Sequence, residues 1–198
     1  MRQALAALTA LLLLTSCQAE PTPRTGEPSS NVDVDTPELR AQKQRAGVED
    51  CVRGASSNDL PDVTLGCLGG GVDVELGKLQ GPLVVNLFAQ WCAPCRKEMP
   101  YYQELHEKAG DRVDVLGIDY LDTQPAAALD LAEQTGVTYP LAADPAGALR
   151  DDFKIRGLPG IVLVDADGQV AAVQFRAFRS YDELRQVVEE ELGLTLPR

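Results

Sequence analysis

Two cysteines separated by two residues, in Trp91-Cys92-Ala93-Pro94-Cys95, are the residues of this chain whose type and spacing most directly imply chemistry. A sulfur pair at that distance can close as a disulfide or open as a dithiol. A thiolate can therefore attack a foreign disulfide, and the second thiol can resolve the mixed disulfide that results. If the motif opens a helix, the first sulfur lies among unpaired backbone N–H groups at the positive end of the macrodipole, which favours the thiolate. That assigns Cys92 as nucleophile and places Cys95 one turn on, along the same face, as the resolving thiol. Pro94 removes one N–H and fixes one φ, changing which donors reach the Cys92 sulfur. Taken alone, the pair also fits half of a zinc knuckle or a soft ligand pair for Cu(I).

Three more cysteines remain. Cys17 follows Arg2 and an apolar run from Ala4 to Leu14, which is too short to cross a bilayer and reads as an export signal. Leu14-Thr15-Ser16-Cys17 resembles a bacterial lipoprotein processing box, so residues 1–17 are expected to be a signal peptide ending at a lipidated Cys17. An ordinary cleavage nearby, leaving a free thiol, is the alternative. Cys51 and Cys67 flank a stretch with Gly54, Ser56, Ser57, Asn58 and Pro61. In an exported protein these two are expected to form a structural disulfide. A single zinc on Cys51, Cys67, Cys92 and Cys95 is disfavoured, because the spacings do not make two matching knuckles. No metal or other cofactor is expected.

The elements that must position the active pair can be read around it. Leu83 to Phe88 is a continuous apolar run, suited to a buried central strand. Arg96 to Lys108 reads as a helix with Met99, Tyr102 and Leu105 inward and Pro100 expected to kink it. Val113 to Ile118 reads as the next strand, followed by a helix from Pro125 to Gln134 that stops at Gly136. Ile161–Val164 and Val170–Val173 form a hairpin across Asp165-Ala166-Asp167-Gly168, which is too short for a calcium loop. Ser180 caps a last helix to Leu192, with Glu183 placed for a capping box. Upstream, Val63–Leu65 and Val72–Val74 suggest an N-terminal hairpin across Gly69-Gly70-Gly71. Residues 18–60 are expected to be a flexible tether and, over Pro37 to Cys51, a lead-in whose Glu38, Leu39, Arg40, Gln42, Lys43 and Gln44 favour helix but which is poorly packed, and residues 61–198 the folded domain. The fold class is α/β, a central mixed sheet flanked by helices.

Composition narrows the partners. The chain has 198 residues and a formal net charge of −12, so the counterion release that drives nucleic-acid binding is missing. His106 is the single histidine, which excludes a multi-imidazole metal site, and it reads as a solvated helix residue.

From about Pro61 to Leu192 the chain resembles the TlpA/ResA-type branch of the thioredoxin superfamily. The resemblance rests on Val84 to Phe88, the Cys motif, Lys97-Glu98-Met99-Pro100 and Ile155-Arg156-Gly157-Leu158-Pro159. It implies a thioredoxin-like fold with a cis Pro159 beside the cysteines, and a Leu158 backbone that pairs with an extended substrate. Trp91, Ala93 and Pro94 would complete the substrate surface. Asn86 stands where many thioredoxins carry a buried acid, closing that proton route. Glu98 matches an acid that this branch carries after the second cysteine and could take the Cys95 proton; the plain alternative is a solvated first-turn glutamate.

The function this implies is a monomeric extracytoplasmic reductant of disulfides in exported proteins, in cytochrome c maturation or envelope redox homeostasis. It would be recharged by a membrane electron donor and held at the membrane by its lipid anchor. The alternatives are a dithiol oxidant or a non-enzymatic Cu(I)-handling protein. A peroxidase of related fold would need a single activated cysteine rather than this pair.

Overall fold

The computed structural model describes residues 30–198. The expected signal peptide, Cys17 and most of the Pro- and Ser-rich tether lie outside the described residues. The elements are α1 (Pro37–Ala46), β1 (Thr64–Cys67), β2 (Val74–Glu75), β3 (Leu83–Phe88), α2 (Ala93–Ala109), β4 (Asp114–Tyr120), α3 (Pro125–Thr135), β5 (Leu141–Asp144), β6 (Gly160–Val164), β7 (Val170–Gln174) and α4 (Tyr181–Leu192).

The seven strands form one mixed sheet in the order β2-β1-β5-β4-β3-β6-β7. β3 lies in its interior, parallel to β4 and antiparallel to β6. Every β3 residue is buried, which explains why its sequence is continuously apolar apart from Asn86. Its side chains alternate between two cores. Val84 and Phe88 join Met99, Tyr102 and Leu105 of α2, Leu129 and Ala132 of α3, and Leu184 and Val188 of α4. Leu83, Val85 and Leu87 face a second core closed by Leu60, Leu76, Leu149, Phe153 and Ile155. Helices therefore cover one face. Both parallel steps, β3–α2–β4 and β4–α3–β5, advance in the same direction across the sheet, so right-handed crossovers put both helices on one side.

The hairpin of β1 and β2 turns through Gly69, Gly70 and Gly71, whose φ values of 76°, 87° and 127° lie where a Cβ would clash. The same β1 pairs with β5, so the hairpin extends the sheet rather than standing apart from it.

The lead-in over Pro37 to Cys51 is not poorly packed. α1 begins at Thr36, whose hydroxyl accepts from Leu39 N at 3.3 Å, and ends at Gly47 with φ 74°. It buries Leu39, Gln42 and Lys43. Gln42 donates to the Ala126 carbonyl of α3 at 2.8 Å, and Val34 O accepts from Gly69 N at 2.9 Å. The docking face is largely polar, so a search for apolar periodicity passes over it. β5, following Tyr139-Pro140, likewise went unassigned because four residues carry too short a pattern.

Candidate active site

β3 ends at Phe88, and the chain turns through Ala89, Gln90 and Trp91 into α2. Cys92 is the N-cap of that helix, and its Sγ accepts from Cys95 N at 3.3 Å. Pro94 occupies the first turn, where its missing N–H costs no helical hydrogen bond. The two sulfurs are joined, with the Cα atoms 5.3 Å apart. Cys92 is 4% exposed and Cys95 fully buried. An incoming thiol or disulfide therefore meets Cys92 first.

Trp91, immediately before the motif, is 57% exposed, and Ala93 and Pro94 are exposed beside it. The Leu158–Pro159 peptide bond is cis. Pro94, Gly157, Leu158, Pro159, Phe175 and Arg176 share one open groove. The expected substrate surface is thus assembled from three separate stretches: the Cys motif, the loop before β6 and the segment after β7.

Glu98 lies one turn beyond Cys95 and is completely buried. Its Oε2 accepts from Phe178 N at 2.8 Å, while Oε1 has no hydrogen-bond partner among the described residues. Burial pushes its carboxyl up to about 7, against the lowering pull of the Phe178 amide and Arg176. A solvated first-turn glutamate is therefore not what the fold contains. Near neutral pH this group is poised between its charged and neutral forms, as a proton acceptor and donor must be. Tyr102, packed edge-on to Phe178 at 6.3 Å, has its hydroxyl pushed upward by burial and then by the Glu98 charge.

Asn86 is buried and donates to Tyr139 Oη at 3.1 Å. His106 is half-buried rather than solvated, paired with Glu49 at 3.0 Å and edge-on to Tyr139.

Two acids near the motif escaped the sequence reading. Asp119, in register with Phe88 across β3 and β4, is 1% exposed, and Asp122 is 3% exposed. Asp122 accepts from Gln90 N at 2.8 Å and from Gln124 N at 2.9 Å, tying the loop that leads into Cys92. Burial first, then the neighbouring Asp122, drives the Asp119 carboxyl well above the usual carboxylate range. Acids at the end of an apolar strand, Asp119-Tyr120-Leu121-Asp122, were the available signal.

Cys51 and Cys67 are bonded, with S–S 2.04 Å and a separation of 16 residues. Among the described residues no group of three or more His, Cys, Asp or Glu side chains is placed to hold a metal ion.

The sequence model of the AhpC/TSA family matches residues 57–173. The thiol-disulfide oxidoreductase ResA of Bacillus thuringiensis (strain Al Hakam) is 34% identical over 102 residues, covering 50% of this chain and 58% of that protein. The thiol:disulfide interchange protein DsbE homolog of Paracoccus denitrificans is 33% identical over 114 residues, covering 57% and 62%. The chain thus spans less than two thirds of the length of these relatives. The structure of MTB dsbF in its mixed oxidized and reduced forms superposes with a TM-score of 0.59 at 26% identity, covering 66% of this chain and 95% of that one. A secreted thiol-disulfide isomerase from Corynebacterium glutamicum gives the same TM-score and identity over 68% and 86%. The fold is thioredoxin-like.

Proposed function

The chain belongs to the AhpC/TSA family of the thioredoxin superfamily, and on that premise we propose that it is an extracytoplasmic thiol–disulfide oxidoreductase that reduces disulfides of exported proteins through Cys92 and Cys95. One observation carries this reading. The Cys92 sulfur caps a helix and accepts a backbone N–H, between an exposed tryptophan and Pro94 of an open groove.

In the reduced protein the Cys92 thiolate attacks a client disulfide, forming a mixed disulfide and expelling one client thiolate. The client strand lies along the groove and pairs with the Leu158 backbone ahead of cis Pro159. Glu98 takes the Cys95 proton. The Cys95 thiolate then attacks Cys92 Sγ and releases the second client thiolate, leaving the Cys92–Cys95 disulfide. A membrane electron donor returns two electrons and restores the dithiol. The ResA and DsbE-type names of the relatives support this class of chemistry, with cytochrome c maturation or envelope redox homeostasis as its setting. Trp91, Ala93 and Pro94 contribute the client contact, and residues 61–198 form the catalytic unit of a monomer, with α1 packed against it.

Cys17, once lipidated, would anchor the domain to the outer face of the membrane. Among the described residues no helix is long and apolar enough to cross one. Mass spectrometry of the mature N-terminus checks the anchor: a diacylated Cys17 is expected. For the activity, Cys95→Ser is expected to accumulate client proteins disulfide-linked through Cys92; recovery of no adduct, or of adducts on another cysteine, contradicts it. The direction of electron flow is checked by the reduction potential, expected near the roughly −270 mV of a reducing dithiol rather than the about −120 mV of a strong oxidant.

A further inference from the structure

The second disulfide has surroundings that a mere staple does not need. Lys43 of α1 is buried, with its side chain 4% exposed. Its three N–H groups have three partners: Asp50 Oδ1 at 2.8 Å, Gly70 O at 2.9 Å and the Cys67 sulfur at 3.3 Å. The same ammonium, by its hydrogen bond, holds the Asp50 carboxyl below the usual carboxylate range. A disulfide sulfur is a weak acceptor, so this contact contributes little while the bond is closed. Once the bond opens, a thiolate at Cys67 would receive a charge-assisted hydrogen bond from a buried cation. The partner sulfur is treated differently. Cys51 Sγ lies 3.3 Å from the Leu141 carbonyl oxygen, which can accept a hydrogen only from a neutral thiol.

Access is also one-sided. Cys51 is 5% exposed and Cys67 1%. Asp50 and Val52, the two chain neighbours of Cys51, line a cavity of about 350 Å³ together with Glu49, Arg53, Leu116 and Pro140, whereas no chain neighbour of Cys67 lines it. Val52 is 63% exposed. The cavity is more enclosed than the groove at Pro94, which suits a small thiol better than a protein strand.

We propose that Cys51–Cys67 is a second exchange site, at which a low-molecular-weight thiol attacks Cys51 and Cys67 leaves as a thiolate held by Lys43. In the first step the new S–S bond forms between the thiol and Cys51, the Cys51–Cys67 bond breaks, and its electron pair departs on Cys67. A second thiol then attacks the small-molecule sulfur of that adduct and releases Cys51, which takes a proton from water and donates it toward Leu141 O. Two thiols are oxidised to one disulfide, and the protein disulfide is reduced by two electrons.

The test uses the full chain carrying Cys17→Ser, Cys92→Ser and Cys95→Ser, so that only the second pair reports. It is incubated with reduced glutathione, quenched with N-ethylmaleimide and mapped by mass spectrometry. The expected product carries glutathione on Cys51 and maleimide on Cys67, in at least about tenfold excess over the reverse isomer. Equal isomers, an excess of the reverse isomer, or a pair that reacts only after urea unfolding overturns the proposal. Lys43→Met is expected to lower the rate of adduct formation and the reduction equilibrium each about tenfold, the latter about 30 mV, and Lys43→Arg to restore both. A purely structural lysine gives the opposite sign, because loosening α1 exposes the sulfurs and speeds attack; a faster or unchanged Lys43→Met overturns the assignment. If Lys43→Met does not fold, the isomer ratio in the protein that retains Lys43 decides alone.

Discussion

The two disulfides of this domain are almost equally hidden, with Cys92 4% and Cys51 5% exposed, yet they sit in unlike surroundings. The Cys92–Cys95 bond joins two residues of one helical turn, so opening it removes no constraint from the chain. The Cys51–Cys67 bond spans 16 residues and ties the segment after α1 to β1. Exposure therefore does not sort them. What differs is the length of chain each bond closes, the donor that faces the leading sulfur, and the opening beside it. A helix N-terminus and an open groove attend the first pair; a buried ammonium and a more enclosed cavity of similar volume attend the second.

The sharpest way to break the comparison is to disable each pair in turn. Cys92→Ser is expected to abolish exchange with protein disulfides, measured by turbidity of reduced insulin. The double substitution Cys51→Ala with Cys67→Ala is expected to leave that rate unchanged. Loss of activity in both would mean that the pairs are not separate devices.

Glu98→Gln comes next in size. It is expected to slow resolution of the mixed disulfide about 10²-fold, the lower range for a positioned proton acceptor, seen by quenched-flow trapping. The wild-type rate should rise with pH through about 7 as Glu98 ionises, and the variant should lack that step. Stability runs the other way. Between its ordinary value of 4.5 and about 7, Glu98 is protonated in the folded protein and ionised in the unfolded one, so the folded state holds more protons there. Rising pH across that window should cost up to about 3 kcal/mol of stability, and Glu98→Gln should flatten the dependence in urea titrations.

The Cys51→Ala, Cys67→Ala protein should lose about 3 kcal/mol of unfolding free energy, the loop-closure expectation for a bond of this span. Asp122→Asn should cost less, about 1 kcal/mol, because one of the two amide contacts from Gln90 and Gln124 can persist. Thermal or urea unfolding ranks the two, and a larger loss in Asp122→Asn would reverse the order of importance assigned to bond and loop.

What could be read from the chain alone followed from how strongly each element announces itself. β3 is fully buried and reads as an unbroken apolar run, and the Met99, Tyr102 and Leu105 stripe of α2 shows at helical spacing. The Ser180 cap was equally visible, although Glu183 completes it by accepting from Arg179 N instead of Ser180 N. The packing of α1, though not its helix-favouring composition, escaped because its docking face is built from Gln42 and Lys43, whose burial depends on partners on α3 and at Gly70. The depth of Glu98 was hidden for a related reason. Its burial comes from Phe178, 80 residues away, whose amide no local pattern connects to α2.

The central claim is that Cys92, at the mouth of α2, is the nucleophile, and alkylation of the reduced protein tests it most directly. Iodoacetamide labelling across pH, read by peptide mass, should modify Cys92 with an apparent pKa below the roughly 8.5 of a free thiol while Cys95 stays unlabelled. Preferential labelling of Cys95, or a Cys92 that titrates like a free thiol, would contradict the account.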